Sequence, residues 1–222
     1  VVEVRVSVII PTCNEAAYLR KCLDSIAAQT RLPDEVLVLI DEKTTDESES
    51  IASGHPLRPR IIHGFRDTFT LQHRGVLEAT GDIVVNVDAD TYLSPDWIEK
   101  AVEWLRNSEI SLVTGYISPH VHSRVNDWIC SYQNGNSGYV SGCSSAMRKG
   151  DYLRLCEMLG GPQNIEFAYY PFHEIGTVIK DGSLQAETDI PTSKQKMLFL
   201  GAGLLTGGAA TAIAAKILTS KR

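Results

Sequence analysis

Between residues 4 and 117 the sequence alternates short β-branched runs with stretches whose apolar side chains recur every three or four positions, and this rhythm restricts the fold more than any other feature. Residues 4–10 read as a strand, after which Ala16, Leu19, Leu23, Ile26 and Ala27 fall at helical spacing behind a Thr12-x-x-Glu15 capping-box pattern. A second strand is expected over 36–40, a polar helix over 46–53, a short strand over 60–63 and a further helix over 71–79. A-T-G-D at 79–82 ends that helix and opens a strand over 82–87. Ser94-Pro95 marks another helix start, with Pro at the first helical position and Ile98, Ala101, Val102 and Leu105 as the inner face. Residues 110–117 read as a strand. This order predicts an α/β fold, a mostly parallel sheet flanked by helices.

Such sheets bind ligands outside the carboxyl ends of their strands. Three polar clusters fall there: P T C N E, then D E K T T D E S, then the aspartates that close N V D A D. The last is the most demanding. D I V V N V reads as buried on both faces, yet it runs into Asp88 and Asp90, and a buried carboxylate without a partner is strongly disfavoured. The pair must sit at the exposed strand end and meet something positive. Alternate residues of an extended chain point to opposite sides, so a turn is needed to bring both onto one ion. Mg²⁺ or Mn²⁺ takes oxygen ligands of this kind, with diphosphate oxygens completing the shell. D-x-D alone also occurs in solvated turns; its place after an apolar strand is what singles it out.

With 222 residues the chain can bury one sizeable core and carry an appendage. No acid follows Asp189, whereas Lys194, Lys196, Lys216, Lys221 and Arg222 do. That leaves 16 basic against 27 acidic groups in residues 1–193, a balance of −11. An acidic body of this kind excludes nonspecific nucleic-acid binding, which needs basic stripes. Cys13, Cys22, Cys130, Cys143 and Cys156 are odd in number and lack C-x-x-C spacing, which suits reduced thiols in a cytosolic setting. V V E V R V S V I I runs directly into a strand pattern and reads as no signal segment. Over 118–189 the periodicity weakens, predicting loops and short elements packed on the sheet; His120 and His122, spaced for one side of a strand, read as structural.

V S V I I P T C N E, V L V L I D E K T T D E S and H R G V L E A T G D I V V N V D A D occur in that order within about the first 105 residues. Together they resemble the family 2 inverting glycosyltransferases of the GT-A fold. The resemblance implies that Pro11, Thr12, Asn14 and Glu15 form the first nucleotide-contact loop, the alternative being a plain strand-to-helix turn. Asp41 and Glu42 would contact the nucleobase. Glu in place of a second Asp leaves the base open, because uracil and guanine both offer ring N–H donors and a UDP- or GDP-linked sugar fits either way. Thr45 and Asp46 read as caps of the next helix. Arg74 would lie near the donor, or else be a surface helix arginine. Asp88, with Ala89 beside it, would approach ribose or metal, and Asp90 would be the principal metal ligand. V S G C S S A M R K G D Y resembles the acceptor-side segment, where Gly142 would let backbone approach the donor sugar. P F H E I G T V I K D G resembles the place of an acidic pair. Glu174 is then the candidate general base for the acceptor hydroxyl, or a carboxylate favourably placed at a helix N-terminus. His173 would touch metal or diphosphate, or be a surface histidine.

Residues 197–215 form a run of 19 without a charge, with Thr206 and Thr211 as its polar side chains and lysines on both flanks. A helix rising about 1.5 Å per residue over this length comes close to the roughly 30 Å apolar thickness of a bilayer. Gly203 and Gly207 form G-x-x-x-G, which favours close helix packing in lipid. The expected organisation is a GT-A domain over 1–193 and a C-terminal membrane-associated helix over 194–222, with the catalytic domain on the cytoplasmic side. The expected function is metal-dependent, inverting transfer of a sugar from a nucleotide-diphosphate sugar to a glycan or polyprenyl phosphate. Two rivals stand beside it. A sugar-phosphate nucleotidyltransferase would need a glycine-rich first loop, and P T C N E contains no glycine. A catalytically degenerate nucleotide-sugar-binding membrane protein would keep the fold and lose the base.

Overall fold

β1 (Val6–Thr12) lies at the heart of the first half, paired in parallel with β2 (Glu35–Ile40) on one side and β4 (Ile83–Val87) on the other. β3 (Arg60–His63) extends the sheet beyond β2. The computed structural model, described over residues 4–64, 68–135, 142–161 and 170–190, continues with β5 (Thr91–Leu93), β6 (Ile110–Pro119), β7 (Ser144–Arg148) and β8 (Thr177–Thr188). The eight strands run in the order β3-β2-β1-β4-β7-β6-β8-β5. β7 is antiparallel to both neighbours and β5 is antiparallel to β8, while β6 and β8 are parallel. The sheet is therefore mixed, parallel through β3-β2-β1-β4 and reversed at two places the periodicity did not reveal.

The helices divide between the two faces, as strand alternation requires. On one face α1 (Leu19–Ala27), α2 (Ser48–Ser53) and α4 (Trp97–Leu105) bury Leu19, Leu23, Ile26, Ala52, Trp97 and Ile98 against Val8, Ile10, Val38 and Val85. On the other, α3 (Thr68–Glu78) and α6 (Lys149–Leu159) set Leu71, Val76, Tyr152 and Leu155 over Ile9, Leu39, Val84 and Leu112. Gly75 makes the α3 contact close: a Cβ there would lie 2.7 Å from Leu39 Cδ1 and 3.2 Å from Ile9. α5 (Arg124–Gly135) closes a smaller cluster with Ile117, Ile129, Cys130, Cys143 and Ile190.

Several expectations shift. Thr12 is not a helix cap: it is the last residue of β1, its hydroxyl donates to the Ile10 carbonyl at 3.2 Å, and α1 begins only at Leu19. Ala16 precedes that helix and Ala27 is exposed. Pro95 likewise stands ahead of α4, although its predicted inner face is buried throughout. The region expected to be loops supplies α5, α6 and two strands of the sheet. No disulfide joins any of the five cysteines. The apolar run at 197–215 lies outside the described residues; among those described, no helix is long and apolar enough to cross a membrane.

Candidate active site

The loops after β1 and β2 are laced into one body. Asn14 takes a left-handed conformation with φ 57°, which its short polar side chain tolerates. Its Oδ1 accepts from Thr45 N at 2.8 Å and its Nδ2 donates to the Lys43 carbonyl at 3.4 Å. Ala16 N donates to Asp46 Oδ2 and Glu15 N to Ser48 Oγ, both at 2.9 Å. Asp46 also accepts from Ser48 N, but Glu47 holds the N-cap position of α2, so neither Thr45 nor Asp46 is the expected cap. Burial opposes ionisation of Asp46, but hydrogen bonds from Ser48 and Ala16 outweigh it and hold the carboxyl below its ordinary value. Asp41 is buried, donates its own N–H to the Thr12 carbonyl at 2.9 Å and accepts Lys43 N at 2.8 Å. Pro11, Thr12, Asn14, Glu15 and Asp41 therefore meet at one end of the sheet, with Glu42 on the exposed side of the same turn.

A backbone turn follows β4. Thr91 N donates to the Asp88 carbonyl at 2.9 Å, so residues 88–91 reverse direction around buried Ala89. Asp88 is pinned by its N–H to the Cys143 carbonyl at 3.0 Å, and the buried Cys22 thiol donates to the Asp88 carbonyl at 3.6 Å. Gly142 opens the approach to β7, and its carbonyl accepts from Asn86 Nδ2 at 2.6 Å.

The electrostatics of this rim are lopsided. Burial first, then the charges of Asp90, Asp88, Asp46 and Asp189, push the Glu15 carboxyl up to about 7. The charge of Asp189, then burial and the charges of Asp90 and Glu15, raises the Tyr18 phenol as well. Among the described residues no three Asp, Glu, His or Cys side chains form a ready-made metal cage. A donor set of one or two carboxylates amid surplus negative charge nevertheless fits Mg²⁺ or Mn²⁺, which keep positions for substrate phosphates and water.

Sequence reasoning missed the contribution of the second half. β5 pairs with the end of β8, Thr91 opposite Thr188 and Tyr92 opposite Glu187. Thr188 Oγ1 donates to Asp90 Oδ1 at 3.4 Å. His120, just beyond β6, reaches the Asp90 carbonyl through Nε2 at 2.7 Å. Asp189 follows β8 into the same acid-rich rim. The signal was available: each is a polar residue at the carboxyl end of a strand, the criterion that had picked out Asp88.

Other candidates lie elsewhere. Glu174 and His173 belong to a 3-10 turn, Tyr170–Glu174, held at the start of β6, where the Phe172 carbonyl accepts from Ser111 Oγ at 2.8 Å. β6 has 10 residues, so at ~3.3 Å per residue the turn stands roughly 30 Å of strand away from the aspartate rim. Glu174 is thus not placed to act as base beside Asp90, nor His173 to touch metal or diphosphate. Arg74 is exposed and paired with Glu78 one turn along α3, the surface-arginine alternative. Arg148, within the segment likened to an acceptor side, is also at the far rim, donating to the carbonyls of Leu105, Asn107, Ser108 and Ile110. His122 pairs with Asp127 at 2.7 Å on the surface.

In Mycobacterium bovis a PGL/p-HBAD biosynthesis glycosyltransferase is 45% identical over 97 residues, which are 39% of this chain and 36% of that protein. Glycosyltransferase GlyA of Streptococcus pneumoniae is 28% identical over 117 residues, 51% of this chain and 17% of the relative. The chain thus spans well under half the length of these two curated relatives. Among solved structures, the mannosyltransferase PcManGT from Pyrobaculum calidifontis, in complex with GDP-Man and Mn²⁺, superposes with a TM-score of 0.65 at 23% identity, covering 89% of this chain and 60% of that one. Glucosyl-3-phosphoglycerate synthase from Mycobacterium tuberculosis, with Mn²⁺, UDP and glucosyl-3-phosphoglycerate, gives 0.63 at 20% identity, covering 87% and 75%. The mixed sheet with flanking helices is thus GT-A-like. Residues 7–149, well over half the chain, match the family described as Glycosyl transferase family 2, and with the laced loops and the Asp88–Asp90 turn at one rim the chain belongs to that family.

Proposed function

We propose that this chain binds a nucleotide-diphosphate sugar and a divalent cation at the carboxyl rim of its sheet and transfers the sugar, with inversion, to an acceptor. The observation that carries this reading is the turn at 88–91, which presents Asp88 and Asp90 among other carboxylates. In this reading the Asn14–Lys43–Thr45 lacing and buried Asp41 receive the nucleobase, Asp88 faces ribose, and Asp90 holds the cation. Gly142 gives the sugar close access to backbone. Mg²⁺ or Mn²⁺, when bound, neutralises charge developing on the departing diphosphate. The GDP-Man and Mn²⁺ bound by the Pyrobaculum calidifontis enzyme and the UDP and Mn²⁺ bound by the Mycobacterium tuberculosis enzyme support this reading.

The position of Glu174 bears on the acceptor. A sugar hydroxyl must lose a proton to a nearby base, whereas a phosphate acceptor arrives ionised. With Glu174 at the far rim, a glycan acceptor would need another carboxylate of the aspartate rim, Glu15 or Asp189, as its base, whereas polyprenyl phosphate would need none. In the same reading the uncharged run at 197–215, outside the described residues, would hold the catalytic domain at the cytoplasmic face of a membrane.

Thermal unfolding with UDP-, GDP- and dTDP-sugars, each with and without Mn²⁺, tests the donor site. One nucleotide should stabilise the protein strongly only with the cation; no response to any of them would remove the reading. Transfer of radiolabelled sugar to polyprenyl phosphate in vesicles, compared with soluble glycans, then tests the acceptor. Binding without transfer to either would identify the degenerate alternative.

A further inference from the structure

We propose that His120 is a positioning residue for Asp90: with Glu187 and Thr188 it clamps the turn that presents the cation-binding carboxylate. The inference rests on the role given to Asp90 above. A turn residue at the end of a three-residue strand has little packing of its own to fix it, yet Asp90 is tied at both ends. Its carbonyl can only accept, so His120 Nε2 carries the hydrogen of the 2.7 Å bond between them. The ring's other nitrogen, Nδ1, lies 2.9 Å from Glu187 Oε1, which fixes the ring's rotation. The ring is clamped face-on, with Tyr92 at 4.2 Å and 29° and Tyr18 at 5.8 Å and 15° between centroids and planes. Its side chain is 11% exposed.

The backbone completes the clamp. His120 N donates to the Thr188 carbonyl at 2.9 Å. Thr188 Oγ1, itself buried, accepts from Thr91 Oγ1 at 3.1 Å and donates to Asp90 Oδ1 at 3.4 Å. Main chain and carboxylate of one aspartate are thus referred to the ends of β6 and β8, which the core holds rigidly. Histidine suits the place because it alone joins a flat ring for two tyrosines to two opposed hydrogen-bonding atoms; phenylalanine would stack without bonding, and lysine would bond without stacking. Partners that orient a metal ligand are typically worth 10–100-fold in metal affinity or activity.

The test compares wild type with His120→Phe, which keeps the stack and removes both bonds. Mn²⁺ binding is read by electron paramagnetic resonance in the presence of GDP or UDP, nucleotide binding is read separately in EDTA, and thermal unfolding reports folding. His120→Phe should weaken nucleotide-dependent Mn²⁺ binding about 10-fold or more, with cation-free nucleotide affinity unchanged. In turnover the loss should appear in the Mn²⁺ concentration for half-activation and in kcat, with KM for the donor little altered. If His120→Phe does not fold, Glu187→Ala and Thr188→Val serve instead, each expected to weaken Mn²⁺ binding about threefold or more. A folded His120→Phe, or in its place folded Glu187→Ala and Thr188→Val, with wild-type Mn²⁺ affinity overturns the positioning role. Wild type that binds nucleotide but no Mn²⁺ overturns the role of Asp90 first, and the inference with it.

Discussion

The two rims of this sheet are built on opposite electrostatic plans. At the amino rim charges are matched and spent on structure. Arg60 pairs with Glu35 and Glu78 at 3.2 Å each, Glu35 also accepts from Ser7 Oγ and Thr80 N, and Arg148 pairs with Asp151 while capping four carbonyls. Lys149 does the same for Leu77 and Ala79. At the carboxyl rim burial first, and then the unbalanced charges of Asp90, Asp88, Asp46 and Asp189, push the Glu15 carboxyl up. Matched charge marks scaffold; accumulated like charge is tolerated only where a ligand of opposite sign is received.

The largest expected effect lies at the carboxyl rim. Asp90→Asn should lower transfer by at least about 100-fold while the cation-free protein unfolds at the same temperature or higher, since repulsion is relieved. An active variant would break the contrast outright. Arg148→Ala at the other rim should reverse the profile, losing about 2–3 kcal/mol in denaturant unfolding at constant m with donor KM unchanged. Next comes pH. Because the native Glu15 carboxyl titrates near 7, against an ordinary 4.5, the cation-free native chain retains a proton that the unfolded chain has released across that interval. The contribution is full below about 4.5 and disappears as pH rises through 7, so the unfolding temperature should fall over this window. Glu15→Gln should flatten the fall, and Mn²⁺ with nucleotide should counter it. The smallest effect is expected of Glu174→Gln, whose transfer rate should stay within about twofold of wild type; a loss like that of Asp90→Asn would bring the amino-rim turn into the chemistry.

The contrast also separates what the sequence announces from what it conceals. β1, β2, β4 and β6 are written in Val, Ile and Leu, so their order and the loops at their ends are legible. β7 is S S A M R, without one β-branched residue, and yet Ser144, Ser145 and Ala146 are fully buried between β4 and β6. Its strand state is imposed by neighbours rather than by propensity. β8 hides for another reason. Asp181-Gly182 reads as a turn, but the strand passes through it by a bulge in which Gly115 faces Asp181 and Tyr116 already faces Gln185. Gly115 makes room there, since a Cβ would collide with the Leu184 backbone. The misplacement of Glu174 follows directly, because which rim a residue occupies depends on the direction of a strand that was not seen.

The bond from Thr188 to Asp90 spans 98 positions. During synthesis on the ribosome, the β-branched half of the protein can therefore leave the exit tunnel with its aspartates already made but still slack. Only when β8 emerges and docks beside β6 does that loop tighten. Competence for binding a cation should thus appear late in translation, well after the first strands have paired.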